Sequence, residues 1–146
     1  MDRRGIISVE LIFASIIILI IIAGIISVIS ERMDAVASTD ELGKARMTAE
    51  SVAEAINKVY SGGNGQSITF YMPANISDES YYIKVNSSGV FIIIDGTIGK
   101  SYINPRKISY SDRLIEGNVY MNRNRCYLIK NVNDSAGNSW IVISEV

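Results

Sequence analysis

The chain has 146 residues, 48% hydrophobic and 20% charged, with net charge −1, one cysteine and no histidine. The missing histidine excludes a Ser-His-Asp triad, a Cys-His dyad and a His-bearing zinc site, and a lone cysteine builds neither an internal disulfide nor a Cys-rich metal site. A near-neutral charge runs against a dedicated nucleic-acid binder, whose domain is strongly basic.

The apolar content is unevenly spread. Sixteen of the 19 residues at 11–29 are apolar, and 12 of the 24 at 6–29 are isoleucine. Outside that stretch the apolar share falls to about 43%, ordinary for a globular domain. Residues 11–30 carry no charge, and such a length crosses a hydrocarbon core of ~30 Å as a helix. In water a β-branched run favours a strand. In lipid a lone strand leaves its backbone unsatisfied, so the reading is helix. Arg3 and Arg4 precede the segment, and Glu31, Arg32 and Asp34 follow it. The positive-inside rule then sets the N-terminus in the cytoplasm and everything after Ser30 outside. The run is longer than the ~7–15 apolar residues of a cleaved secretory signal, and no small-x-small site closes it.

Glu10 opens this segment. A carboxylate at the edge of a membrane helix costs on the order of 2–3 kcal/mol unless it is paired or reaches the interface.

From Glu31 no helix breaker intervenes. Ala35, Leu42, Ala45, Ala49, Val52, Ile56 and Val59 form a stripe at helical spacing, with Glu41, Lys44, Arg46, Glu50, Glu54 and Lys58 on the other sides. Ser61-Gly62-Gly63 supplies a glycine stop. The pattern predicts one helix over 5–60, about 80 Å long at ~1.5 Å per residue, with bend points at Gly24 and Gly43. A coiled coil over 35–59 fits less well than packing on a sheet, because its seam is mostly alanine.

After the glycine-rich loop at 62–65 the period becomes two. Ile68-Phe70-Met72, Tyr81-Ile83-Val85 and Val90-Ile92-Ile94 each line one strand face. Asn86-Ser87-Ser88-Gly89 reads as a hairpin loop, and Asp95-Gly96 as a two-residue turn into a strand at 97–103. Further strands are expected at 106–111, 117–122, 125–132 and 139–145, with a last hairpin loop at 133–138. Together they predict an α+β fold: a long N-terminal helix whose stripe covers a small antiparallel meander.

The eight tyrosines, mostly in these strands, and Trp140 suit a half-buried sheet. Cys126 reads as a small buried hydrophobe. Arg106, Lys107, Arg113, Arg123, Arg125 and Lys130 outnumber Asp112 and Glu116, and read as a solvated face. No carboxylate pair stands in a catalytic pattern, since Asp78-Glu79 falls in a turn and Glu50/Glu54 on the polar side of the helix. Asn75-Ile76-Ser77, Asn86-Ser87-Ser88 and Asn133-Asp134-Ser135 are N-glycosylation sequons in expected turns. The expectation is a non-enzymatic chain with no cofactor and no metal.

Arg3-Arg4-Gly5, then Ile6-Ile7-Ser8-Val9-Glu10 and a long apolar helix, resembles the type IV pilin precursor signal, and more narrowly the archaeal class III signal peptide. The resemblance covers roughly residues 1–60. It implies that a membrane-bound prepilin-type peptidase recognises Arg3, Arg4, Gly5 and Ile6 and cuts after Gly5. Glu10 then becomes the fifth residue of the mature chain, where the family places glutamate. Ser8 also matches, while Ile6 stands where glutamine is common.

The organisation so implied is a leader at 1–5, a transmembrane and filament-core helix at 6–30, its amphipathic continuation at 31–60, and a head at 61–146, shaped like a lollipop. The implied role is a structural subunit of an extracellular type IV pilus-like filament, waiting in the membrane until an assembly ATPase and platform protein move it among copies of itself and other pilins. No specific nucleic acid is expected as a partner. Glycosylation at Asn75, Asn86 and Asn133 and cell adhesion belong to the same expectation. The alternatives are a minor pilin or adhesin, and a permanently membrane-anchored binding ectodomain; an archaellin fits less well, because Glu10 is present. Cleavage exposes an α-amino group at Ile6 that is charged at neutral pH. In a low-dielectric bundle that group and a neighbour's Glu10 attract strongly, so their pairing is expected to set subunit register.

Overall fold

The computed structural model describes residues 3–77, 79–105 and 107–146, with the side chains of 3–8, 34, 35, 37 and 38 outside the description. It comprises one long helix, α1 (Arg3–Ser61), and eight strands: β1 (Ser67–Tyr71), β2 (Tyr81–Asn86), β3 (Gly89–Ile94), β4 (Thr97–Ser101), β5 (Ile108–Ser109), β6 (Val119–Asn122), β7 (Cys126–Asn133) and β8 (Ser139–Glu145). The fold is α+β. The chain divides into two compact units, Met1–Asp40 and Glu41–Val146. The first holds the apolar part of α1; the second holds the remainder of the helix and all the strands.

In the second unit the helical stripe enters a core. Ala45, Ala49, Val52, Ala53, Ile56 and Val59 are buried against Ile83, Val85, Val90, Ile92, Ile94, Met121, Ile129, Ile141 and Ile143. The small alanines let the helix axis lie close to the strands, and the β-branched residues behind them fill the remaining volume. Leu42 departs from the expected stripe, remaining 45% exposed. Ala35 lies outside the described side chains.

The strands form two four-stranded sheets, ordered β1-β7-β8-β5 and β4-β3-β2-β6. This corrects the single antiparallel meander. The local hairpins stand as expected: β2 and β3 pair from Asn86↔Gly89 to Tyr81↔Ile94, and β3 and β4 from Ile94↔Thr97 to Val90↔Ser101. The longer-range pairings differ. β6 returns to the free side of β2, β1 lies beside β7, and β5 runs parallel to β8. The strand expected at 106–111 shrinks to Ile108–Ser109, and Arg106 lies outside the described residues.

Two turns explain their own residues. Asp95 and Gly96 both take positive φ, 41° and 73°, as a two-residue hairpin turn matched to right-handed strand twist demands. Gly89 has φ 144°, and a Cβ there would lie 2.5 Å from the carbonyl oxygen of Ser101 on the neighbouring strand. Only glycine fits that approach.

Candidate membrane and assembly segment

Val9–Met33 is 25 residues long, with mean hydropathy 3.2 and no part of its apolar window buried within the chain. It is long and apolar enough to cross a membrane. Its large side chains are exposed on every side; Leu11, Phe13, Leu19 and Ile20 are each above 60%. An apolar surface of that extent is far larger than the scattered apolar residues of an ordinary water-facing helix. The polar groups inside it are partly answered by the helix itself. Ser15 Oγ donates to the Ile12 carbonyl at 2.8 Å, and Ser30 Oγ to that of Ile26 at 3.0 Å, which removes two hydroxyls from the count of unsatisfied donors.

Glu10 sits one residue into this stretch, helical and exposed. The backbone of residues 3–8 continues the helix toward the N-terminus. The side chains of Arg3, Arg4 and Ile6, on which the cleavage and pairing expectations rest, lie outside the described residues.

The far end of α1 is closed by a group that sequence reasoning missed. Gly63, at φ 81°, ends the helix, and its N–H donates to the Tyr60 carbonyl at 3.2 Å. The side-chain amide of Asn131 on β7 donates to the carbonyls of Val59 and Tyr60, at 3.3 and 3.2 Å. Its carbonyl oxygen accepts from Ser139 Oγ at 2.6 Å, and its backbone N–H donates to Gln66 at 2.9 Å. Asn131 is fully buried, so these bonds replace water for the last-turn carbonyls of the helix. The signal was present in the sequence: Tyr127, Ile129 and Asn131 share one strand face, and the third is polar.

Among the described residues of the basic stretch at 105–130, three cations are engaged by separate partners. Lys107 stands 3.8 Å from Asp134 and over the Trp140 ring. Arg125 pairs with Glu145 at 2.9 Å, and Arg123 donates to Asn75 Oδ1 at 2.6 Å. Asp134 accepts from Asn138, from the Trp140 indole and from the Ala136 backbone, and these bonds hold its carboxyl far below the ordinary carboxylate range.

Cys126 is half-buried rather than fully buried. Glu50 is an exposed partner of Arg46 at 3.0 Å, and Glu79 joins the bridge to Ile76; Asp78 lies outside the described residues. Among the described residues no cluster of three or more His, Cys, Asp or Glu could hold a metal ion.

The three sequons fall in different settings. Asn75 accepts from Arg123, and the Asn86 amide donates to Asn118 at 3.1 Å while its oxygen accepts from the Ser88 N–H. Asn133 is exposed at the end of β7, and its backbone N–H donates to Asn64. Compared with protein-family models, curated proteins and solved structures, the chain matches none of them.

Proposed function

We propose that this chain is the structural subunit of an extracellular type IV pilus-like filament. It is made as a single-pass membrane precursor, cut after Gly5 and polymerised through its N-terminal helix. The observation that carries the reading is the exposed apolar helix at Val9–Met33 with Glu10 at its threshold, separated from Arg3-Arg4-Gly5 only by Ile6-Ile7-Ser8. In the membrane this surface faces lipid; in a filament it faces the same surface of neighbouring subunits. The Glu10 carboxylate then answers the new α-amino group at Ile6 of an adjacent copy, and a subunit out of register leaves both charges buried and unpaired. The head stays in water.

Intact mass and N-terminal sequencing of material sheared from the cell surface test this directly. The expected chain begins at Ile6 and is assembled in filaments, and Glu10→Gln lowers filament yield at least tenfold while leaving cleavage intact. Uncleaved protein found only in the membrane would overturn the reading in favour of an anchored ectodomain. Normal filaments from Glu10→Gln would remove the register role.

A further inference from the structure

The outward face of the β4-β3-β2-β6 sheet alternates aromatic rings with lysines. Cross-strand register sets Tyr120 beside Lys84, Lys84 beside Phe91, and Phe91 beside Lys100. Ring and cation thus alternate over four strands, at steps of roughly 4.8 Å. These strands contain two lysines and no Asp or Glu, in a chain whose net charge is −1.

Lys84 Nζ and Lys100 Nζ both stand over Phe91, at 5.5 and 5.3 Å from its centroid, and Lys100 also lies 4.8 Å from the Tyr102 ring. Neither lysine makes an ion pair among the described residues. Around them Tyr82, Tyr102 and Tyr120 expose 41%, 78% and 54% of their surface. The Tyr82 and Tyr120 rings meet at 6.3 Å.

Two ammonium groups over one ring, with no carboxylate on these strands to answer them, leave an excess of positive charge that an anion offsets. The flat tyrosines beside them offer apolar faces with a hydrogen-bonding hydroxyl at the tip. The pattern therefore fits a polymer that alternates flat rings with sparse anionic groups. A nucleic acid strand is a poorer match. It bears a phosphate on every nucleotide and draws its affinity from neutralising several of them, roughly 6–10 in tight complexes. This face has two unpaired cations, and the nearby Arg123 and Arg125 are engaged by Asn75 and Glu145.

We propose that the outward face of this sheet binds an acidic polysaccharide, with uronate carboxylates on Lys84 and Lys100, on the strands flanking Phe91, and the adjoining sugar rings on Tyr102 and Tyr120. The biological setting rests on the extracellular reading above, since such polymers coat cell surfaces. The binding itself does not depend on assembly.

The test uses the full-length chain in neutral-detergent micelles. The probes are fragments of hyaluronan, in which uronate and neutral rings alternate, neutral dextran, and single-stranded oligothymidylate. Hyaluronan is expected to bind, to weaken as salt rises, and to lose about tenfold or more in affinity in Lys84→Gln/Lys100→Gln, the scale of lost charge-assisted contacts. Lys84→Arg/Lys100→Arg is expected to keep the binding, and Tyr102→Ser to weaken it. Thermal unfolding of the variants checks that they remain folded.

Unchanged hyaluronan affinity in the folded Gln variant, equal binding of dextran, or tighter binding of oligothymidylate would overturn the proposal. So would light scattering that shows this face consumed by a second copy. Filaments that begin at Ile6 but fail this binding test would leave the pilus reading standing. Binding by a chain that is never cleaved would separate the two in the other direction.

Discussion

The buried side-chain amide of Asn131 donates to the carbonyl of Val59, 72 positions earlier. It ties the last turn of the helix to the middle of a sheet. Replacing Asn131 with valine keeps most of the volume but removes every partner the amide supplies. The Val59 carbonyl is left facing a dry interior, while that of Tyr60 keeps the Gly63 N–H, and a buried group left unsatisfied costs about 1–3 kcal/mol. Asn131→Val is expected to lower the urea midpoint of the head with little change in slope, read by tryptophan fluorescence of the full-length protein in micelles.

Ile56 and Leu42 occupy the same expected stripe but different surroundings. Ile56 is completely buried in the core, whereas Leu42 remains 45% exposed. Ile56→Ala is expected to destabilise the head by about 2–5 kcal/mol, the range for large-to-small changes in a packed core. Leu42→Ala should cost less than about 1 kcal/mol, because little burial is lost. Equal effects in denaturant titrations would contradict the packing described.

Gly89 and Gly96 separate steric conflict from conformational preference. Both have positive φ, but a Cβ at Gly89 would lie 2.5 Å from the Ser101 oxygen, while one at Gly96 would meet nothing within 4 Å. Gly96→Ala carries only the left-handed penalty of about 1–2 kcal/mol. Gly89→Ala adds displacement of the β4 backbone. It is expected to lower Tm further, and to speed amide exchange across the β3–β4 pairs.

Tyr81 is buried, and its phenol donates to the Pro73 carbonyl at 2.7 Å. Burial, with a smaller repulsion from Tyr71, pushes its pKa from 10.0 up to about 12. The folded state therefore holds this proton more tightly than the unfolded chain. Its contribution to stability is complete below pH 10 and is lost as pH rises through about 12. Alkaline unfolding curves of Tyr81→Phe should be flatter over that window than those of the parent chain.

The parts of the fold written locally were legible. Asp95-Gly96 named its hairpin, and the period-two runs at Tyr81-Ile83-Val85 and Val90-Ile92-Ile94 named the buried faces. The division into two sheets was not legible, because it depends on partners far along the chain: β6 returning to β2, β1 to β7, and β5 to β8. Alternation says which face of a strand is buried but not which strand lies beside it. Leu42 was misplaced for a related reason. Helical periodicity tells where a stripe points, and the length of the sheet beneath it decides where burial begins. The lysine–aromatic row was hidden in the same way, since Tyr120, Lys84, Phe91 and Lys100 become neighbours only through register. The N-terminal segment was the most legible part, because length and hydropathy alone define it.

β8 follows both β5 and β7 in sequence, yet it lies between them in the first sheet. A sheet with its latest-made strand in the interior cannot close until that strand has been synthesised. β5 has to wait for residues more than 30 positions downstream. The arrangement makes β8 the strand that completes the sheet. A chain truncated before residue 139 leaves β7 and β5 without their shared partner, so an unfinished head exposes strand edges that quality-control proteases can seize.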